Sequence, residues 1–334
     1  MSSHSFDLIG VGNPIMDLLA LVPEKFLTDH VAGEKGGMVL VDDGDIVQLV
    51  AKLGGNIAVT PGGSAANATI GAARLGLRTT YLGKIGGDIT ARQYRENFSA
   101  AGGDASRFKH AMLPNGRCLS LITPDGQRTM RTHLGAAMTL SPDEIQPTDF
   151  AGVRHAHIEG YLMFNPALAE KVVRTARAAG CTISIDLSSF EVVNLTRDWI
   201  LAQLDAGVDV LFANEDEIKA LYQTDRPYDE LARQLADHGG IGAVKMGKDG
   251  AWLARDRQLH RVEAVSVPRV TDTTGAGDAW AAGFLYGFLR GYPLPACGAL
   301  GSLLGAETVQ HLGPVIPDMH WPRLRKHAET LAQG

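Results

Sequence analysis

HAHIEGYLMFNPALAEKVVRTARAAGCTISID, residues 155–186, reads as strand, helix, strand. His155–Glu159 and Thr182–Asp186 are short apolar runs, and Pro166–Ala179 between them has the length and spacing of a helix. The alternation continues downstream. A helix around Thr196–Leu204 leads to strand Val208–Ala213, helix Glu215–Tyr222, helix Tyr228–His238 and strand Gly242–Met246. Strands separated by helical crossovers pair in parallel, with helices covering both faces of the sheet. The pattern predicts an α/β fold with a mostly parallel central sheet.

Upstream of residue 155 the rhythm differs. Phe6–Val11 reads as a strand buried on both sides, and Ile15–Val22, Gly37–Val41 and Asn56–Thr60 are further apolar runs broken only by a short helix, Asp43–Lys52. Helix Gly63–Gly76, strand Thr79–Ile85 and helix Ala91–Ala101 follow. Arg117–Thr123 and Arg128–His133 flank Pro124-Asp125-Gly126-Gln127, whose residue types specify a hairpin turn. These runs form a small β layer, not βαβ units. The expected organisation is one domain over residues 1–334, with a β-sheet lid from about 15–60 and 113–135 and a core from the remainder.

Composition narrows the function. The chain has 334 residues, a net charge of −6 and no basic run, which argues against nucleic acid or an anionic membrane as partner. Its three cysteines, Cys118, Cys181 and Cys297, lie far apart in no metal-ligand spacing, as in a reducing compartment. No basic segment followed by an apolar one opens the chain, and the longest apolar run, Ala279–Leu289, is too short for a bilayer. A cytoplasmic location is expected.

The chemistry concentrates in Thr271-Asp272-Thr273-Thr274-Gly275-Ala276-Gly277-Asp278. A glycine-rich turn leads into a helix of small and apolar residues, and the free N–H groups of a helix start stabilise phosphate oxygens. Asp278 would repel that phosphate unless it handles a proton on the incoming nucleophile. A capping Asp explains Asp278 alone, but not the glycines and threonines packed before it. Pro61-Gly62-Gly63-Ser64-Ala65-Ala66-Asn67 is a second glycine-rich helix start, read as a turn with Ser64 as cap and as the junction of lid and core, with Asn67 facing a substrate hydroxyl. Asp17 is a carboxylate inside an apolar strand. It either faces water on an edge strand or meets donors such as two sugar hydroxyls. Asn214-Glu215-Asp216-Glu217 follows a strand directly, where acids complement a helix dipole or hold Mg²⁺ through water. Two tempting motifs fail. Gly10-Val11-Gly12-Asn13-Pro14-Ile15 has Ile15 where a dinucleotide fingerprint needs glycine, and Gly242–Lys248 continues as Asp249 where a P-loop needs Ser or Thr. The latter reads as a strand ending in a turn, with Gly247 and Gly250 letting a nucleotide approach.

Taken in order, Gly62–Asn67, Asn214–Glu217 and Asp272–Asp278 resemble the ribokinase-like (PfkB) sugar and nucleoside kinases over nearly the whole length. Gly12-Asn13-Pro14-x-x-Asp17 and Gly62-Gly63-Ser64-x-x-Asn67 are most similar to adenosine kinases. The resemblance implies a three-layer α/β/α fold and ATP-dependent phosphorylation of the 5′-hydroxyl of a purine nucleoside, as in purine salvage. It implies Asp278 as base, an anion hole at Gly275, Ala276 and Gly277, and Arg128 reaching the transferred phosphate. Asn13, Asp17, Gly62, Gly63, Ser64 and Asn67 would hold the ribose side, with Tyr161 and Phe164 against the base and Met38 and Leu40 across the lid. Asn214, Lys245, Gly247, Gly250, Thr274, Gly275 and Gly277 would meet ATP. Asn214 and Glu217 would organise Mg²⁺, and backbone carbonyls of Asp272 and Thr274, with others near His311 and Gly313, an activating K⁺. The assembly would be a monomer or a lid-paired homodimer. A carbohydrate kinase of ribokinase or fructokinase type is the alternative within the family, and a non-catalytic nucleoside- or sugar-binding regulator the alternative outside it.

Overall fold

Residues 155–186 form the heart of the large sheet in a computed structural model, which describes residues 4–33, 35–55, 57–238 and 240–331. Strand Val153–Glu159 runs into a 3₁₀ turn, Gly160–Phe164, then helix Pro166–Ala178 and strand Thr182–Asp186. The sheet has nine strands in the order Gln258–Val262, Ala251–Arg255, Ile241–Lys245, Val210–Asn214, Thr182–Asp186, Val153–Glu159, Phe6–Val11, Thr79–Leu82 and Gly103–Asp104. Neighbours pair in parallel except Ala251–Arg255, which runs antiparallel to both of its neighbours.

Strand geometry sends successive side chains to opposite faces, and the two cores divide accordingly. Ile9, Val11, Ile158, Ile183 and Ile185 pack on one face with helices Pro166–Ala178 and Phe190–Asp205. Leu8, Val210, Phe212 and Leu253 pack on the other with Trp280, Phe284 and Leu300 of helices Ala276–Arg290 and Leu294–Thr308. The result is the expected α/β/α arrangement.

A second, separate sheet has the order Met38–Leu40, Arg128–Gly135, Asn115–Ile122, Ile15–Leu21 and Ala58–Pro61. Ala20, Val22, Leu119 and Leu121 on one side of it are buried with Leu27 of helix Glu24–His30 and Ile46 and Leu49 of helix Asp43–Leu53. Its other side faces the mouth of the large sheet.

Several boundaries depart from the sequence reading. Thr79–Ile85 divides into Thr79–Leu82, in the large sheet, and Lys84–Ile85, which leaves it to pair with Lys109–His110. The helix around Thr196 begins at Phe190 and kinks at Thr196, where φ is −126°. The run beginning at Asn56 is strand Ala58–Pro61, Asn56 itself lying outside the described residues. Strands Ala251–Arg255 and Gln258–Val262 and helices Glu24–His30, Leu294–Thr308 and Trp321–Leu331 were not anticipated. Leu294–Thr308 is largely buried, so no polar face marks it as a helix. Glycine brings it against its neighbour: a Cβ at Gly283 would stand 2.5 Å from the Leu300 carbonyl oxygen.

Candidate active site

A cavity of about 1150 Å³ opens between the two sheets, at the carboxyl ends of the parallel strands. That edge is where open α/β sheets bind ligands. Helix Ala276–Arg290 starts at its floor, capped by Gly275 in a left-handed conformation with φ +73°. A Cβ at Gly275 would meet the Pro314 ring at 2.4 Å, so both the turn and the packing require glycine. Asp278 stands in the first turn. Its Oδ1 accepts from Ser64 Oγ and its Oδ2 from Asn67 Nδ2, both at 2.8 Å. Burial raises the Asp278 pKa above the usual carboxylate range, while the bonds from Asn67 and Ser64 and the charge of Lys245 oppose that rise. The carboxylate is thus oriented on both oxygens and made more basic. The Ala276 N–H is donated to the Thr273 carbonyl at 3.2 Å, so the cradle offers Gly275 and Gly277 instead of the three successive amides expected.

Asp17 lies in the second sheet, paired with Thr60 on one side and Cys118 on the other. It is therefore on an inner strand, and the water-facing edge reading fails. Its side chain is buried, lines the cavity, and accepts no hydrogen bond among the described residues. Burial pushes its pKa up to about 7, offset by Arg128 and reinforced by Asp278 and Asp272. A buried carboxylate without donors is costly. It is poised for a ligand that brings them. Gly62 and Gly63 shape the approach: a Cβ on Gly62 would lie 2.3 Å from the Asp17 carboxyl, and one on Gly63, at φ +99°, 2.4 Å from the Asn13 carbonyl oxygen.

Glu159, which the sequence reading missed, ties these parts together. Its Oε1 accepts from the Asn13 backbone N–H at 2.8 Å and from Asn13 Nδ2 at 2.7 Å, and its Oε2 accepts from the Ala65 N–H at 3.1 Å. Burial pushes its pKa up to about 7 against the pull of these bonds. One Asn13 amide N–H is thus taken by Glu159 and one Asn67 amide N–H by Asp278, which fixes both side chains at the cavity wall.

On the other side of Asp278, Lys245 Nζ donates to Asp186 Oδ2 at 2.7 Å, and a Cβ at Gly277 would come within 3.3 Å of that ammonium. A cation therefore borders the cradle. Asn214 and Glu217 form a reciprocal cap: Asn214 Oδ1 accepts from the Glu217 N–H, and Glu217 accepts from the Asn214 N–H and Nδ2. Burial pushes Glu217 up to about 7, with Asp186 adding to it. With both Glu217 oxygens engaged, the pair fits a hydrated cation better than a directly bound one. Gly247–Asp249 is a 3₁₀ turn after strand Ile241–Lys245, as read, and borders the cavity. Gly250 answers to packing, since a Cβ there would strike the Val262 carbonyl oxygen at 2.1 Å. Asp272 is fully buried; its Oδ1 accepts from Thr274 N–H and Oγ1, and its Oδ2 from the Gly313 N–H. The side chain is a clamp between loops. The Asp272 and Thr274 carbonyls accept no hydrogen bond among the described residues.

Arg128, on the second sheet, donates to the Thr273 carbonyl at 3.1 Å and so spans the cavity mouth. Tyr161 and Phe164 lie with ring centroids 6.3 Å apart on one wall, facing a cavity also lined by Met38, Leu40, Ile15 and Leu134.

The sequence model of the pfkB family carbohydrate kinases matches residues 38–321. The chain belongs to the pfkB family. It is similar to the solved adenosine kinase from Sinorhizobium meliloti, at 31% identity and a TM-score of 0.88 over 98% of this chain and 99% of that one. The probable sugar kinase from Rhizobium etli CFN 42 is comparable, at 32%, TM-score 0.86 and 99% of both chains. Adenosine kinase 2 of Arabidopsis thaliana is 24% identical over 95% of this chain and 98% of its own. A pfkB kinase transfers phosphate from ATP to a small carbohydrate or nucleoside, generally with Mg²⁺. No helix among the described residues is long and apolar enough to cross a membrane.

Within this pfkB kinase, all the residues singled out from sequence for substrate and ATP, apart from Gly62, line or border one cavity, and Gly62 packs on Asp17. Glu159 and Asp186 were the omissions. Both are acids closing an apolar strand, paired in register at the carboxyl edge. An acid at that position is the signal that would have found them.

Proposed function

We propose that this kinase phosphorylates the 5′-hydroxyl of a purine nucleoside, adenosine first among the candidates. The observation that carries the reading is Asp17, buried and without a donor among the described residues, in a cavity also lined by the apolar side chains of Tyr161, Phe164, Met38 and Leu40. Two ribose hydroxyls supply the donors Asp17 lacks, and a flat base covers more of the apolar lining than the small C–H faces of a free sugar. Asn13, held by Glu159, and the Gly62–Gly63 turn shape the ribose side.

Asp278 accepts the proton of the 5′-hydroxyl as its oxygen attacks the γ-phosphorus in line. The bond to the β–γ bridging oxygen breaks and ADP leaves. Gly275 and Gly277 N–H groups, Lys245 and Arg128 offset the charge on the transferred group. Mg²⁺, when bound with ATP, neutralises phosphate charge, and Asn214 and Glu217 would hold it through water. The Asp272 and Thr274 carbonyls, which accept no hydrogen bond among the described residues, support a K⁺ site beside the cradle. The second sheet, with residues 15–60 and 113–135, acts as a lid on the single domain, and Arg128 closes it by gripping Thr273. Excluding water favours transfer over ATP hydrolysis. A cytoplasmic enzyme of purine salvage, monomeric or paired through its lids, accords with these features.

A carbohydrate kinase is the second reading. The apolar lining is partly open, with Phe164 38% and Leu40 50% exposed, and the two aromatic rings, with centroids 6.3 Å apart and inclined by 32°, do not form a parallel pair around a base. ADP release measured across purine nucleosides, ribose and hexoses separates the two. Turnover on adenosine far above any free sugar is expected; inert nucleosides with an active sugar would overturn the nucleoside assignment.

A further inference from the structure

Outside the cavity, Glu307, His311 and His320 converge where helix Leu294–Thr308 ends and a 3₁₀ turn, Asp318–His320, leads into helix Trp321–Leu331. Glu307 Oε1 has His320 Nδ1 at 2.7 Å and His311 Nε2 at 3.3 Å, and the two rings lie 4.9 Å apart, inclined by 62°. The three donor atoms all fall within 4.8 Å of one another. The Glu307 side chain is only 6% exposed, whereas His311 and His320 are 22% and 30% exposed, so the cluster opens to solvent on the imidazole side. Arg323 donates to the other carboxylate oxygen, Oε2, and fixes the orientation of Oε1.

We propose that Glu307, His311 and His320 bind a divalent transition ion of the zinc type. A tetrahedral ion with bonds of about 2.0–2.1 Å sets its ligand atoms roughly 3.3 Å apart. The His311–Glu307 separation already has that value, and the His320–Glu307 separation needs a small side-chain rotation. The ion would occupy the space between these three donor atoms, in place of the direct His311–Glu307 contact. Two imidazoles and one carboxylate suit zinc, nickel or cobalt and are a poor set for Mg²⁺, which prefers oxygen. Three protein ligands leave a fourth position for water. Arg323 acts as the outer partner that holds the ligating carboxylate.

The site has a structural consequence. Between His311 and His320 runs the segment that lends its Gly313 N–H to Asp272 and packs Pro314 against Gly275. A bound ion pins both ends of that segment to the end of helix Leu294–Thr308, supporting the cradle without touching substrate.

The test uses the full chain, stripped with a chelator and titrated with zinc against a chromophoric competitor in the presence of excess Mg²⁺. One zinc ion per chain and a zinc-dependent rise in melting temperature are expected. His320→Ala should lower affinity by more than the ~10–100-fold that loss of an outer partner typically costs, and abolish the thermal shift. Its activity without zinc should match wild type, since His320 lies outside the kinase machinery. His311→Gln gives the same affinity and thermal readouts should His320→Ala fold poorly. Cobalt in place of zinc should give the visible absorption of a low-coordinate site. Absence of saturable zinc uptake, or equal uptake by wild type and either histidine variant, would overturn the assignment and leave the cluster as a polar tie.

Discussion

Asp17→Asn should stabilise the free protein at alkaline pH while crippling it as an enzyme. The Asp17 carboxyl titrates at about 7 in the fold against 3.8 when unperturbed, chiefly because burial penalises its charge. Each pKa unit corresponds to about 1.36 kcal/mol, so a rise of roughly three units makes the ionised form cost up to about 4 kcal/mol. That is an upper bound, because Asp17 lines a cavity that opens to solvent. The folded carboxyl binds its proton more tightly than the unfolded one. Its contribution is therefore fully present below about pH 4, declines as pH rises, and is lost above about pH 7. Asparagine is neutral throughout and removes this slope. Urea denaturation of both proteins without ligand checks it. The two should be near parity at pH 4, with the variant more stable by ~1–4 kcal/mol at pH 8. Glu159 and Glu217, also pushed up to about 7, act equally in both proteins and cancel in the difference. On the functional side, hydrogen bonds to a charged group contribute ~1.5–3 kcal/mol each, so loss of two predicts at least a ~10²-fold fall in kcat/KM for the nucleoside. A 2′-deoxynucleoside should lose affinity for the wild type and little more for the variant. Parallel pH–stability curves, or undiminished discrimination against the deoxynucleoside by the variant, would refute the reasoning.

Asp278→Asn keeps the shape and loses the base, so kcat should fall ~10²–10⁴-fold with ATP affinity little changed, as single-turnover and binding measurements would show. Glu159→Gln presents an NH₂ group to at least one of the Asn13 or Ala65 donors; about 1–3 kcal/mol of stability should be lost in urea melts, with KM for the nucleoside rising more than KM for ATP. Activity should be higher in K⁺ than in Na⁺ or a bulky organic cation if the Asp272 and Thr274 carbonyls hold the ion, and equal initial rates in all three would dismiss that site.

The parallel core was legible because its signal is local: Phe6–Val11, Thr182–Asp186 and Val210–Asn214 are apolar enough to be buried on both faces, and helices fall between the later strands. Gln258–Val262 was not, since it is an edge strand with mixed exposure and follows a turn at Asp256–Arg257 whose residues hold positive φ without glycine. The glycine turn proposed as the phosphate cradle was legible for a related reason. Gly275 and Gly277 sit beside Asp278 in sequence, so a short window contains the turn, the helix start and the proposed base. Ser64 and Asn67 were found but given to the substrate, because nothing local reveals that Asp278, more than 200 residues away, takes both of their hydrogen bonds.

The four adjacent strands at the centre of the large sheet end in Glu159, Asp186, Asn214 and Lys245. Each side chain then makes a contact that depends on its position along this edge: Glu159 with Asn13 and Ala65, Asp186 with Lys245, and Asn214 with Glu217. In a single strand, a terminal acid looks like the ordinary change from buried to solvated sequence. Paired in parallel, Glu159 with Asp186 and Asn214 with Lys245, the second couple two residues further along, the same residues form a staggered row of polar groups along one edge, while the apolar stretches before them supply the floor. Parallel pairing is what converts four unremarkable strand ends into a site, since an antiparallel arrangement would send alternate ends to opposite sides of the molecule. The periodicity that predicts the sheet therefore also locates the chemistry, once strand ends are read together and not one at a time. What it cannot supply is the opposing wall. Asp17, Met38, Leu40 and Arg128 come from a second sheet, and only the way that sheet sits over the edge brings a carboxylate, apolar side chains and a guanidinium into one cavity with Asp278.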